Sequence, residues 1–385
     1  MSEDRPRLLF YFLHLLGVGH VHRAQRLIEA FSRSGLAVDV IYGGIPLEGI
    51  SFDAQNTVYL PPIRAADASY SVMLDADGDP ISQDYMDRRR DMLLRAFAKM
   101  SPDAILTEAF PFGRRVVRHE ILALLEAASK RQRAPLIVSS VRDILQEKRK
   151  PGRSEEVRGW IEDHYDRVLV HADSTIIRLD ATFPLAQAIA RKLFYTGFVV
   201  APTRKNEPEQ SFDVVVSAGG GGFGESLMRT AIQLANARPD LTWCLATGPN
   251  LPDAIARRLH REAAAHIIVV ERLDGLVQHL ERAKLSISQC GYNTAMDVLA
   301  AHKAGGCRAV FVPHDTTGQT EQLRRAELLQ RAGYAVTLPQ SRLTLTSLRE
   351  AANRAMALDA VVHDIDFGGA ERSAELLFDW IKERA

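Results

Sequence analysis

Two series of short apolar runs, each alternating with segments of helical period, set the strongest constraint on how this chain can fold. Runs at residues 8–14, 38–42, 104–107, 136–140 and 168–171 read as strands, with helical-period segments at 21–34, 85–100 and 115–131 among them. A second series follows at 213–217, 242–246, 267–270, 285–288, 309–312 and 335–338. Strands that alternate with helices form parallel sheets, because a parallel pair needs a crossover connection. Between the series, residues 201–210 hold two prolines among mostly polar residues and read as a linker. A chain of 385 residues suits two domains. The expected division is 1–200, a linker at 201–210, 211–368, and a closing helical segment at 369–385.

Two successive wound sheets imply an α/β chain of two Rossmann-like domains facing across a cleft, with ligands beyond the carboxyl ends of the strands. Lys and Arg number 48 and Asp and Glu number 48, so no general attraction to nucleic acid is implied. Cys244, Cys290 and Cys307 have neither paired nor metal-type spacing, which suits a reducing cytoplasm. The polar start and the short apolar run that follows give no signal peptide, and no stretch is long enough to span a bilayer. Residues 60–83 carry little periodicity and read as a long loop. Within it, Asp75-Ala-Asp-Gly-Asp79 looks superficially like a calcium loop, but Met86 occupies the acidic twelfth position, so a solvated loop is expected.

The most informative chemistry lies at residues 286–322. Ser286-Ile-Ser-Gln-Cys-Gly-Tyr-Asn-Thr-Ala-Met-Asp297 reads as a strand, a sharp turn at Gly291 and a helix entered through Asn293 and Thr294. A helix start presents backbone N–H groups and partial positive charge, which suits a phosphate. Asp297, one turn further in, can accept hydrogen bonds from a ribose diol. In Gln319-Thr-Glu-Gln322, Glu321 and Gln322 open a second helix and can read sugar hydroxyls. Together these residues describe a nucleotide-sugar site.

Cys290, Gly291, Tyr292, Asn293, Thr294, Asp297, Glu321 and Gln322 also carry a resemblance. Their order resembles the C-terminal domain of glycosyltransferase family 28, whose best-known member adds N-acetylglucosamine in lipid II synthesis. It is similar as well to the signature of plant UDP-glycosyltransferases. Gln289 stands where the plant enzymes carry His, and Asp297 replaces their longer Glu, so fine donor choice does not transfer. The resemblance implies a GT-B fold and an inverting, metal-independent transferase without a cofactor. Its donor would be a UDP-sugar and its acceptor a hydroxyl, a lipid-linked one among the options. It also implies that the helix at 370–383, apolar at Leu376, Leu377, Trp380 and Ile381, crosses back to the first domain.

Two glycine loops complete the pattern. The first strand runs through Gly17-Val-Gly-His-Val-His-Arg23 directly into a helix. Gly17 and Gly19 allow backbone to approach a ligand. The extended form G-x-G-H-x-x-R resembles the N-terminal motif of several transferases of this family and of a related nucleotide-sugar hydrolase. The resemblance puts His20 near the anomeric carbon as the base, a task imidazole can perform at neutral pH. A plain helix cap is the alternative. Arg23 is open between phosphate or acceptor binding and a surface role. The second series opens with Ser217-Ala-Gly-Gly-Gly-Gly-Phe-Gly-Glu225, where Gly219, Gly220 and Gly221 are expected at the donor. No Lys-Ser/Thr follows, so this is not a Walker loop. A dinucleotide fingerprint would have to use Asp240.

Glu108 closes a strand and can orient His20 or replace it, or it can simply belong to the Phe-Pro-Phe turn that follows. Arg142, with Asp143, occupies a similar strand end, where it can meet acceptor or phosphate or pair with its neighbour. Arg114, Arg115, Arg118, Lys130, Arg131 and Arg133, beside Val117, Ile121, Leu124 and Leu125, admit peripheral contact with the inner face of a membrane. The remaining histidines show no ligand spacing, and no metal is expected. A hydrolase or epimerase on the same fold stays open, the latter through Glu108 with Asp143. So does a non-enzymatic nucleotide-sugar-binding protein.

Overall fold

Residues Leu8 to Phe12 expose no surface at all, which is why this strand reads as an unbroken apolar run. A parallel strand covered by helices on both faces has no polar side to show. It is β1 (Arg7–Phe12), an interior strand of the first sheet in a computed structural model that describes residues 5–67, 70–146, 151–201, 208, 210–220, 224–315, 320–359 and 364–384. The chain divides into two compact units, Met1–Val199 with Asp366–Ala385, and Val200–Ile365. Most of the linker read at 201–210 lies outside the described residues.

In the first unit β1 leads through α1 (Gly19–Arg33) to β2 (Ala37–Tyr42) and then β3 (Asn56–Tyr59). A short antiparallel pair follows, β4 (Arg64–Ala65) and β5 (Met73–Leu74), and then α2 (Gln83–Met100) and β6 (Ala104–Glu108). The remainder is α3 (Arg118–Ser129), β7 (Leu136–Arg142), α4 (Arg153–His164), β8 (Arg167–His171) and β9 (Leu193–Tyr195). The parallel sheet runs β3-β2-β1-β6-β7-β8-β9 among the described residues. The order reverses between β1 and β6, and the crevice at the carboxyl ends of such a pair is where ligands bind in open α/β sheets.

The second unit repeats the plan with β10 (Val214–Ser217), α5 (Glu225–Asn236), β11 (Trp243–Ala246), α6 (Asp253–Glu262), β12 (Ile267–Val270) and α7 (Leu276–Arg282). Then come β13 (Leu285–Ser288), α8 (Tyr292–Lys303), β14 (Arg308–Phe311), α9 (Glu321–Arg331), β15 (Val336–Thr337) and α10 (Leu345–Met356). Its parallel sheet runs β12-β11-β10-β13-β14-β15, with the reversal between β10 and β13. The last helix, α11 (Gly369–Arg384), belongs to the first unit. Its Ala370, Ala374, Leu377, Trp380 and Ile381 join one core with Val21, Leu27, Ile28 and Phe31 of α1.

Two local readings differ from the structure. The stretch 60–83 is not all loop, since it holds the β4–β5 pair, fixed where Ala65 N–H donates to Leu15 O at 2.7 Å. Two-residue strands are too short to leave a periodic trace. The helix read at 115–131 begins as a 3₁₀ turn at Arg115–Val117 and becomes α-helical only at Arg118. Asp75 closes its loop on itself, Oδ1 accepting from Asp77 N–H at 3.0 Å and Asp79 N–H at 2.9 Å.

Candidate functional site

At the β1/β6 reversal the residues that carry chemistry converge. Helix α1 starts at Gly19 behind Val18 with no side-chain cap, so His20 is not a capping residue. His20 and Arg23, three positions apart on a helix, share a face. Both reach Glu108, the last residue of β6. His20 Nδ1 lies 3.1 Å from Glu108 Oε1, and Arg23 Nη2 donates to the same oxygen. Arg23 and Glu108 are buried, whereas His20 keeps 14% of its side-chain surface. Arg23 is therefore not a surface residue.

The buried carboxylate sets the direction of every hydrogen bond around it. Burial alone would raise the Glu108 pKa, but the Arg23 guanidinium, His20 and Ser140 together hold it well below the usual carboxylate range. An ionised carboxylate can only accept. His20 Nδ1 also lies 3.1 Å from Arg23 Nη2, which donates to the same carboxylate; with its proton directed to Glu108, Nε2 is the lone-pair nitrogen, a tautomer assigned from the bonding partners. Ser140 Oγ donates to Glu108 Oε2 at 2.5 Å and faces His171 Nε2 at 2.8 Å, and His171 Nδ1 faces Thr196 Oγ1 at 3.0 Å. Burial keeps His171 neutral, its pKa pushed down to about 3. Burial and the charge of Arg114 also lower His20 well below its ordinary value, against the pull of Glu108. His20 is thus a neutral imidazole at pH 7, held by an anion behind it, and equipped to accept a proton at Nε2.

The second unit places its loops at the β10/β13 reversal. After β10, Gly219 takes a left-handed φ of +63°, and Asn250 Nδ2 donates to Gly220 O at 2.8 Å. Gly248, also left-handed at +77°, backs directly against Gly219 O, where any Cβ would collide. After β13, Gly291 caps α8 in an extended conformation without a side-chain hydrogen bond. The first helical bond of α8 is Ala295 N–H to Gly291 O at 2.9 Å, so the N–H groups of residues 292–294 lie ahead of the ladder. A Cβ built on Gly219 would be 3.6 Å from Thr294 Oγ1, so the glycine loop and the α8 start adjoin.

Residues 214–360 match the glycosyltransferase family 28 C-terminal domain. Over the whole chain, the calicheamicin glycosyltransferase CalG4 is similar at a TM-score of 0.65 and 15% identity, covering 99% of this chain and 98% of that one. The MurG of Acinetobacter baumannii gives 0.59 and 15%, covering 98% and 100%. A UDP-GlcNAc 2-epimerase from Methanocaldococcus jannaschii gives 0.62 and 10%, covering 96% and 99%. No curated protein matches the chain by sequence. The chain has the GT-B fold and resembles the family 28 glycosyltransferases.

Within this GT-B chain the other expected residues are distributed as follows. Gly17 precedes α1, and Gln289, buried, follows β13 with its Nε2 3.5 Å from Gln340 Oε1. Asn293 and Thr294 occupy the first turn of α8. Asp297 is buried further along it, and its Oδ1 accepts from Ala201 N–H at 3.2 Å. Glu321 opens α9, and Gln322 Oε1 accepts from His314 N–H at 3.3 Å. Gly221 lies outside the described residues, as does Gln319. Arg142 ends β7, beside buried Asp143, whose Oδ1 accepts from Ile144 N–H at 2.7 Å. Among the described residues no group of three or more His, Cys, Asp or Glu is arranged to hold a metal ion.

Sequence reasoning missed Ser140, His171 and Thr196, although the first two close strands it had located; a polar residue ending an apolar run was the available signal. It also missed Arg325. This buried arginine donates from Nη1 to Cys290 O at 2.7 Å and lies 5.8 Å over the Tyr292 ring, tying α9 to the turn that opens α8. The basic stretch near α3 is engaged with the protein itself. Val117, Ile121, Leu124 and Leu125 are buried, Arg115 pairs with Glu156, and Arg131 stacks on Phe97 at 4.1 Å. No helix among the described residues is long and apolar enough to cross a membrane.

Proposed function

We propose that the protein transfers a sugar from a nucleotide-sugar donor, preferentially a UDP-sugar, to a hydroxyl acceptor with inversion at the anomeric carbon. The observation that carries this reading is the neutral His20, backed at Nδ1 by ionised Glu108 and left with a basic Nε2. The second unit holds the donor. The uncapped start of α8, with Asn293 and Thr294, receives the diphosphate beside Gly219 and Gly220, while Asp297, Glu321 and Gln322 serve ribose and sugar hydroxyls. The acceptor O–H gives its proton to His20 Nε2 as its oxygen bonds to the anomeric carbon. The bond from that carbon to the diphosphate breaks, and the nucleoside diphosphate leaves with the electron pair. Helix-start N–H groups aimed at this growing charge contribute up to about 3 kcal/mol apiece in favourable sites. Any contact with an anionic lipid surface would fall to exposed Arg118, Lys130 and Arg133, because the apolar side of α3 is packed inside.

The test is incubation with UDP-, dTDP- and GDP-sugars, reading melting temperature and nucleotide release with and without hydroxyl acceptors. A ligand at 100 times its Kd adds about 2.7 kcal/mol of stability, so binding registers as a shifted melt. A shift with one nucleotide family, and release that depends on acceptor and is lost in His20→Ala, is the expected result. Fast release without acceptor would replace the transferase by a hydrolase using the same dyad. Conversion of the sugar without release would mean an epimerase, and binding without turnover a sensor. No shift with any donor would remove the nucleotide-sugar reading altogether.

A further inference from the structure

Arg114 is an exception among the arginines around the β6 end. Arg23 pairs with Glu108, Arg89 with Glu120 and Arg115 with Glu156. Arg114 forms no ion pair among the described residues, and its Nε is buried without a hydrogen-bond partner. A partly desolvated guanidinium without an anion is costly, and proteins seldom keep one idle. The backbone that presents it is also held at a cost. Ala109 and Arg114 both adopt left-handed φ, +66° and +56°, which non-glycine residues rarely do.

That conformation is fixed by several bonds. Ala109 N–H donates to Ser140 O at 2.7 Å, Gly113 N–H to Ala109 O at 2.7 Å, and Val117 N–H to Arg114 O at 3.0 Å. Thr107 and Ser139 hydroxyls both donate to Phe110 O, at 3.0 and 2.8 Å. Strain this firmly over-determined is characteristic of residues placed for a ligand. The charge of Arg114 is felt at two imidazoles. It adds to burial in depressing both His20 and His14, the latter to about 4. His14 closes the other side of the reversal, just past β1, its Nδ1 2.6 Å from Tyr42 Oη. Tyr70, Glu108 and Tyr11 act electrostatically on the guanidinium in turn, and of these the Glu108 carboxylate is already paired with Arg23.

We propose that Arg114 is an oxyanion-binding residue of the first unit, which accepts a carboxylate or phosphate group of the acceptor beside His20. The word acceptor rests on the transferase reading; the anion site does not. A planar fork of donors matches either oxyanion in two parallel hydrogen bonds, a geometry that lysine cannot reproduce. It follows that the acceptor is an anionic molecule rather than a neutral alcohol.

The test follows the ring C–H signals of His14 and His20 by NMR in the full chain, titrated with inorganic phosphate and separately with acetate at constant ionic strength. Saturable shifts at both rings are expected, and the tighter anion identifies the group. Arg114→Gln should weaken binding about tenfold or more, as loss of a charged hydrogen-bond pair does. Arg115→Gln, removing an arginine occupied by Glu156, should leave it within about twofold. If the Gln variant fails to fold, Arg114→Lys carries the test, with a loss of about threefold or more expected from the missing fork. Wild-type affinity in the Gln or Lys variant, or no saturable shift with either anion, would overturn the proposal. Melting shifts with nucleotide sugars are read separately, so anion binding without donor binding would keep the Arg114 site and reject the transferase.

Discussion

His14, His20 and His171 each stay neutral in the folded chain at pH values where a solvated imidazole is protonated, and this fixes the response to acid. Between pH 6.5 and about 4 for His14, or about 3 for His171, the unfolded chain takes up protons that the folded chain refuses. Stability is therefore full above 6.5 and falls as pH drops through that window, by about 1.4 kcal/mol per pH unit for each such ring. Glu108 adds loss of the same sign below pH 4.5, since its folded pKa is depressed. Melting curves from pH 7 to pH 4 should show a steady fall in Tm, and a flat profile would mean that these rings are solvated. Activity should behave differently. A base whose pKa is already low stays unprotonated, so transfer should be nearly level from pH 8 to about 6. His20→Ala should lower kcat by a factor of about 100 to 10,000 while donor-induced melting shifts persist. Glu108→Gln leaves Arg23 buried without its anion, and it should cost about 3–5 kcal/mol in denaturant unfolding as well as activity.

At the scale of elements, the two crossing points share one construction, a strand end followed by a glycine turn and a helix. Gly248 shows how tightly the second is built. Gly248→Ala meets both a left-handed φ and the Gly219 carbonyl. It should destabilise by about 1–3 kcal/mol or more and abolish the Tm shift given by donor at a concentration that saturates the native protein. Strand positions along the chain could be read because buried parallel strands are continuous apolar runs, as in β1 and β10. The glycine turns were legible because their residues are adjacent in sequence. Glu108 was read at a strand end, able to orient His20 across 88 positions, but its ion pair with Arg23 was not. Nor was the path through Ser140 and His171, because side-chain partners across a sheet leave no spacing. α4 escaped notice for a simpler reason: only Val157 and Ile161 of its twelve residues are buried, too few to mark a period.

At the scale of the molecule, the first unit is discontinuous in sequence and the second is not. Trp380 on α11 packs edge-on against Phe194, ring centroids 4.8 Å apart, within the core shared with α1. Trp380→Ala should cost the first unit about 3–5 kcal/mol. Since two units need not melt together, calorimetry should show one transition displaced and the other retained. The resemblance implied that this helix crosses back to the first domain, whereas pattern alone gave only an amphipathic segment with no partner specified. The split core also has a consequence for biogenesis. Residues 370–381 leave the ribosome after every residue of the second unit, so that unit can fold while the chain is still being made. The first unit must wait, with the apolar face of α1 exposed, until translation has passed Ile381. A stalled or prematurely terminated chain would carry a finished second unit on an open, chaperone-dependent first one.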